Sequence, residues 1–344
     1  MVELSVLDIV PVRRGQTTRQ AITASAGLAR VADRVGCTRF WVTEHHNMPA
    51  VAATSPPVLI AMLAAQTQQL TIGSGGVMLP NHTALAVAEQ FALLEAAHPG
   101  RIDLGIGRAP GTDPVTSWAL RAGRADQTLS EYPTWVQQVQ AMLGNSDALI
   151  GPNGTPLRLH ASPRPTSVPP IWLLGSSGFS ASLAAELGMP FVFAHHFSGQ
   201  GTKEALDLYR ANYAGPGRPR TFITVNVSVA DNAEQAARMA LPYHHMQAGM
   251  HAGVVLDRPL MSVDEAESAI RPLGDAAWQR LAQPWLIGEP HTVAERIFEL
   301  TDRFDVDEVM IQPIASAFDA DPLDSYPARE YAVRELATRL VEQV

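Results

Sequence analysis

Apolar positions follow two spacings that alternate along the whole chain. Short runs rich in β-branched and aromatic residues fall at 4–10, 39–44, 70–79, 102–108, 171–176, 191–195, 222–230 and 308–312. Between them, 17–35, 57–67, 83–97, 127–143, 180–187, 202–213 and 292–304 carry apolar residues three and four apart, and a last helical pattern covers 328–344. The first spacing predicts buried strands and the second amphipathic helices. Strand and helix in regular succession are the pattern of βαβ units on a parallel sheet. Eight units over 1–344 predict an α/β fold, a single (β/α)8 TIM barrel, in preference to a doubly wound sheet, which adds a second domain before reaching eight strands. Two stretches exceed a minimal barrel: 144–170, rich in Pro and Gly, and 231–290, long and partly helical. Insertions of that size are expected at the C-terminal rim, around an active site.

Composition narrows the function. With 46% hydrophobic and 17% charged residues the chain is a well-buried globule and not a disordered one. Its 25 Lys+Arg against 34 Asp+Glu leave a net charge of -9, with no basic excess for nucleic acid or an anionic membrane surface. One cysteine, Cys37, allows no internal disulfide and no thiolate cage, which points to a reducing, cytoplasmic setting. The first residues, Met1-Val2-Glu3-Leu4-Ser5-Val6-Leu7-Asp8, read as a strand and not a signal peptide, and polar residues break every apolar stretch short of a membrane span.

In such a barrel the chemistry sits where strands end. The predicted ends carry Thr43-Glu44-His45-His46-Asn47, Gly73-Ser74-Gly75-Gly76-Val77-Met78, Gly105-Ile106-Gly107-Arg108, Gly175-Ser176-Ser177-Gly178 and Ala194-His195-His196, more charge and imidazole than turns require. Gly105-Ile106-Gly107 fails as a dinucleotide fingerprint, because Pro110 takes the third glycine position and a loop follows in place of a helix. The Gly175–Gly178 segment ends a strand and opens a helix, so its N–H groups and hydroxyls suit a phosphate, with Arg108 on the adjacent strand as the cation. Glu44, His45 and His46 alternate between faces of a strand and do not converge on a metal. A histidine at a strand end instead serves as a proton donor or hydrogen-bond partner, and His45, His46, His195 and His196 remain open for that role. Interior glycines at 73, 75 and 76 suit either a bulge or a flat ring lying on the backbone. His244, His245 and His251 flank Met246-Gln247-Ala248-Gly249-Met250, which reads as an adaptable pocket wall.

Thr43-Glu44-His45-His46, Gly75-Gly76-Val77-Met78-Leu79-Pro80-Asn81-His82 and Gly100-Arg101-Ile102-Asp103-Leu104-Gly105-Ile106-Gly107-Arg108 together resemble the bacterial luciferase-like flavin-dependent monooxygenases. The likeness is dense over 4–113, returns at 171–190 and 288–312, and is thin in both insertions. It implies a barrel that binds reduced FMN at its C-terminal rim and activates O2 as a flavin C4a-hydroperoxide. Carried over by motif, Gly75 and Gly76 form a cis peptide behind the flavin ring. Arg108, Ser176, Ser177 and Gly178 hold the phosphate, with Met78, Gly175 and His195 counted in the same cofactor-binding set, and His45 is the catalytic histidine. The family likeness also implies a homodimer and a separate flavin reductase as the source of reduced FMN, but not light emission. The greasy, methionine-containing insertion suggests a small hydrophobic organic substrate. Two alternatives remain: hydride transfer with the deazaflavin F420 on the same barrel, and a flavin-binding protein without turnover.

Overall fold

The computed structural model describes residues 2–109, 112–121, 128–144, 149–150, 156–164, 167–251, 257–270 and 285–342. Pro110, Gly111 and parts of both predicted insertions, 145–148, 151–155, 165–166, 252–256 and 271–284, lie outside the described residues. The strands are β1 (Glu3–Asp8), β2 (Arg39–Val42), β3 (Thr71–Ser74), β4 (Val77–Met78), β5 (Ile102–Gly107), β6 (Leu149–Ile150), β7 (Pro156–Leu157), β8 (Ile171–Gly175), β9 (Phe191–Phe193), β10 (Thr221–Val229), β11 (Leu286–Gly288) and β12 (Glu308–Pro313). Parallel pairing runs β1-β2-β3-β5-β8-β9-β10-β12 and returns to β1, closing an eight-stranded (β/α)8 barrel. Around it stand α1 (Thr18–Arg34), α2 (Pro56–Ala64), α3 (Ala84–Ala97), α4 (Pro114–Leu120), α5 (Thr128–Leu143), α6 (Gly178–Glu186), α7 (Thr202–Ala211), α8 (Ala233–His251), α9 (Val263–Ile270), α10 (Pro290–Phe304) and α11 (Pro327–Glu342). Among the described residues no helix is long and apolar enough to cross a membrane.

Local chemistry explains the boundaries. Thr17 and Gln20 form a reciprocal capping box that starts α1. The single strand predicted over 70–79 is interrupted by a cis peptide between Gly75 and Gly76. Across the gap Ser74 Oγ donates to the Gly105 carbonyl (2.9 Å) and accepts from its N–H (3.0 Å), so a side chain replaces the lost rungs between β3 and β5. The pattern does not predict β11, which is too short for a periodicity to show. It takes over one edge of β10: Val227 pairs with Pro313 of β12 and with Leu286 of β11, whereas β9 pairs only with Thr221–Ile223.

The described parts of the two insertions sit at opposite ends. The described residues 231–251 and 257–263 follow β10, and Tyr243, Met246 and Met250 among them line the cavity at the C-terminal rim. The described residues 156–164 and 167–170 instead come between α5 and β8, with Ala161 N–H donating to the Met142 carbonyl and Ser167 reaching Glu95 in the last turn of α3, so they lie at the N-terminal face. The expectation of a rim position fails there, because a helix-to-strand connection returns the chain to the bottom of the barrel.

Inside the barrel, alternate residues face the axis. Near the N-terminal end Arg39 donates to Asp103 (2.7 Å) and with two nitrogens to Glu308 (2.7 and 3.0 Å). The indole N–H groups of Trp41 and Trp172 also donate to Asp103, at 3.0 and 3.3 Å. Burial opposes the Arg39 charge, yet Glu308 and Asp103 outweigh it and raise its pKa. One layer up, Trp41, Trp172 and Phe222 pack with ring centroids 5.1–5.9 Å apart and, with Leu7, Val192 and Met310, seal the axis. Gly73 permits this layer, since a Cβ there would lie 2.6 Å from Trp41 Nε1 and 2.7 Å from Asp103. Replacing Asp103 by Ala leaves two indole N–H groups and one of the Arg39 nitrogens without an acceptor, while Glu308 still pairs with Arg39, and urea unfolding is expected to show a loss of about 3 kcal/mol. Asp103→Asn, which retains one acceptor, loses less.

Candidate active site

A cavity of about 1230 Å³, counting its open mouth, fills the C-terminal end of the barrel above that seal. Its floor is Leu7, Trp41, Leu174, Val192 and Met310. Each of these strands then contributes the residue two further along, as alternation requires, Ile9, Thr43, Ser176, Ala194 and Gln312, and β10 adds Thr224, two beyond Phe222 of the ring layer. Another step of two brings His45 and His196.

Gly75 and Gly76 form a stretch of wall without side chains. A Cβ at Gly75 would meet Leu7 Cδ1 at 2.5 Å, and one at Gly76 would meet the Gly105 carbonyl at 2.8 Å, so neighbouring strands have closed over the space a side chain needs. Met78 and Gly107 continue this side. At the mouth Arg108 lines the cavity with its guanidinium 4.1 Å above the Phe179 ring, a cation–π contact that holds the charge in place. Beside it come Gly175, Ser176 and Ser177. Ser177 is the N-cap of α6 but makes no side-chain cap bond, which leaves the first-turn N–H groups for an anion. Gly178 is the first residue of that helix and does not itself line the cavity.

The histidines separate by the same alternation. His45 lines the cavity and pairs through Nδ1 with Thr43 Oγ1 at 3.0 Å, and burial lowers its pKa to about 4. His196 also lines it, hydrogen-bonds through Nδ1 to Thr224 Oγ1, and is lowered by burial to about 3. His195 was expected on the cofactor, but it lies outside the cavity lining. Its ring packs on Phe304 at 5.3 Å and its Nδ1 bonds Thr202 Oγ1 at 2.8 Å. The reason is the two-residue repeat Val192, Ala194, His196, which turns position 195 toward the helices.

Glu44 faces away from His45. It is fully buried and accepts from His46 (2.9 Å), His82 (2.8 Å) and the Met78 N–H (2.9 Å). Burial works to raise its pKa, but the hydrogen bonds from His46 and His82 bring it down to about 2. This carboxylate thus ties the loop bearing His45 to the strand after Gly76. Its pattern signal was the opposite-face placement of Glu44 and His45, although the partner His82, 38 residues away, was not foreseeable. Nor were Tyr243, Met246, Gln247 and Met250 assignable individually: they reach the cavity from α8, inside an insertion with no motif.

Comparison with known proteins follows the same lines. The family model for luciferase-like monooxygenase matches residues 2–305. A protein of Escherichia coli strain K12 named luciferase-like monooxygenase is 37% identical over 317 residues, covering 90% of this chain and 91% of that one. The crystal structure of apo-MsnO8 superposes with a TM-score of 0.85 at 33% identity, covering 99% of both chains. The oxygenating constituent of 3,6-diketocamphane monooxygenase from Pseudomonas putida, a type II Baeyer–Villiger enzyme in complex with FMN, shares the fold with a TM-score of 0.75 at 18% identity, over 100% of this chain and 99% of that one.

The depressed imidazoles set an acid limit. In the unfolded chain His196 takes up a proton near its ordinary pKa of 6.5, whereas in the folded protein it stays neutral to about 3. Between those values the unfolded state binds more protons, so stability falls as pH falls, by up to about 1.4 kcal/mol per pH unit for this residue. Urea unfolding across that range is expected to show the slope, and His196→Asn to reduce it.

Proposed function

Because the chain belongs to the luciferase-like monooxygenase family, we propose that it is a flavin-dependent monooxygenase that takes reduced FMN into the rim cavity and oxygenates a small hydrophobic organic molecule. The observation that carries this reading is the cavity's division into a wall without side chains at Gly75–Gly76 and an anion-binding end at Arg108, Ser176 and Ser177. A flat ring fits the first and a phosphate the second.

Reduced FMN supplies two electrons, and with O2 one oxygen atom enters the substrate while the other leaves as water. The protein's own residues hold the partners and exclude solvent. Arg108 with Ser176 and Ser177 would hold the phosphate end by charge-assisted hydrogen bonds. Met78, Gly107 and Gly175, which line the cavity between these two ends, would border the flavin. Trp41 and Met310 close the floor to water. Thr43 occupies Nδ1 of His45, leaving Nε2 as the nitrogen that exchanges a proton with cavity contents. A pKa of about 4 keeps that imidazole neutral near pH 7, so at rest it brings no charge into the apolar site, and in proton transfer it would accept a proton at Nε2, become imidazolium, and release the proton again.

The substrate side is built from Met48, Val51, Phe197, Met246 and Met250, with Gln247 and Gln312 as amides. Among the described lining residues Arg108 is the charged side chain, so an uncharged, apolar substrate matches the remainder. Three further parts of the reading rest on sequence. A separate reductase supplies reduced FMN, because the Gly105-Ile106-Gly107 segment does not form a dinucleotide fingerprint. A homodimer agrees with the exposed apolar side chains Val58 and Met62 on α2 and Leu93 on α3. A cytoplasmic location agrees with the lone, buried Cys37.

Anaerobic titration with reduced FMN, and separately with reduced F420, tests the cofactor. Saturable binding of FMN is expected, and Arg108→Ala should weaken it roughly ten- to hundredfold, the loss of about 1.5–3 kcal/mol for a hydrogen bond to a charged group. Selective binding of F420 would replace oxygenation by hydride transfer on the same barrel. His45→Ala is expected to bind reduced FMN as wild type does but to release a larger share of the consumed O2 as hydrogen peroxide; an unchanged peroxide yield removes His45 from proton transfer.

A further inference from the structure

Tyr243 borders two cavities at once. On one side is the large rim cavity, with about 230 Å³ of net free space; on the other is a much smaller chamber, with about 30 Å³, lined chiefly by apolar side chains such as Leu260, Ile314, Ala317 and Tyr326. Ile9 is the other residue that faces both. The Tyr243 side chain reaches from α8 to β12, where its hydroxyl accepts a hydrogen bond from Gln312 Nε2, and its ring packs on Trp285 with centroids 5.3 Å apart. It is therefore held at both ends, as a partition and not as a mobile side chain.

The chamber behind it is not a polar site in its own right. Of its charged residues, Arg13 donates to the Phe318 and Asp321 carbonyls, and Arg329 donates to Asp8 (2.8 Å) and to the Pro313 carbonyl (2.7 Å), so both spend their main hydrogen bonds on the protein. What the chamber offers is apolar surface on the far side of Tyr243 from the rim cavity.

We propose that Tyr243 is the specificity-determining wall of the substrate site, setting the longest apolar chain the cavity accepts by closing off the chamber between β1 and β12. This rests on the reading that the rim cavity takes an apolar substrate. Chains that stop short of Tyr243 are fully buried. Longer ones meet its ring and leave their ends in water.

The test needs neither flavin nor turnover. Straight-chain primary alcohols of increasing length are titrated into the flavin-free protein, with calorimetry as readout. In the wild type affinity should rise about fourfold per methylene, the equivalent of about 0.8 kcal/mol per buried CH2, and then reach a plateau. In Tyr243→Ala the plateau should move to chains longer by two or more carbons. Tyr243→Phe, which keeps the wall and loses only the hydrogen bond, should retain the wild-type plateau. Tyr243→Leu serves if the alanine variant does not fold, with a smaller shift in the same direction. Filling the chamber with Ala328→Leu in the Tyr243→Ala background should bring the plateau back.

An unchanged plateau in folded Tyr243→Ala or Tyr243→Leu overturns the proposal while leaving the apolar-substrate reading standing. A wild type that binds no alcohol of any length overturns that reading, and the proposal with it.

Discussion

A single buried guanidinium organises the barrel. Arg39 joins β2 to β5 through Asp103 and to β12 through Glu308, so one charge links three of the eight strands across the axis. A cation in that position is tolerable only with two carboxylates and good geometry, and the carboxylates need it equally. Asp103 then accepts from both tryptophan indoles, which fixes the ring layer that closes the barrel below the cavity. Floor, cavity depth and the height at which His45 and Gly75 stand all follow from this layer. The glycine at 73 is part of the same constraint, since any side chain there would displace Trp41 from Asp103.

Glu44 plays the corresponding part at the rim. It lies one residue from His45 but on the other side of the strand, and its three hydrogen bonds gather His46, His82 and the Met78 backbone. The imidazole of His45 is thereby placed by a neighbour outside the cavity lining. The flat wall and the histidine belong to different strands, and this carboxylate holds them in register.

Much of this was legible in the sequence, because barrel strands report their faces by parity. Trp41, Thr43 and His45 are two apart and share a face, so the placement of His45 follows from the strand alone. The same parity rule identifies His196 over His195, and the earlier expectation for His195 fails because it counted both histidines at one strand end as equivalent. The side chain of Arg108 and the glycines at 75 and 76 were identifiable from chemistry that a bare turn does not need. Features set by contacts between distant segments were not legible: the hydrogen bond from His82 to Glu44, the three-residue strand β11, the N-terminal position of 144–170, and Tyr243, whose partner Gln312 is 69 residues away.

The handover along β10 has an inherited consequence. Its lower half is completed by β9 and its upper half by β11, so the backbone of this strand is satisfied without any help from the residues between Asp231 and Trp285. The described part of that segment carries Tyr243, Met246 and Met250 to the cavity and is tied to loops of the barrel, Leu260 to Val12 and Arg14 and Met239 to Ser316, outside the strand ladder itself. It can lengthen, shorten or change composition without breaking a rung of the barrel. A lineage built on this plan is free to exchange what it recognises while keeping intact the apparatus that acts on it.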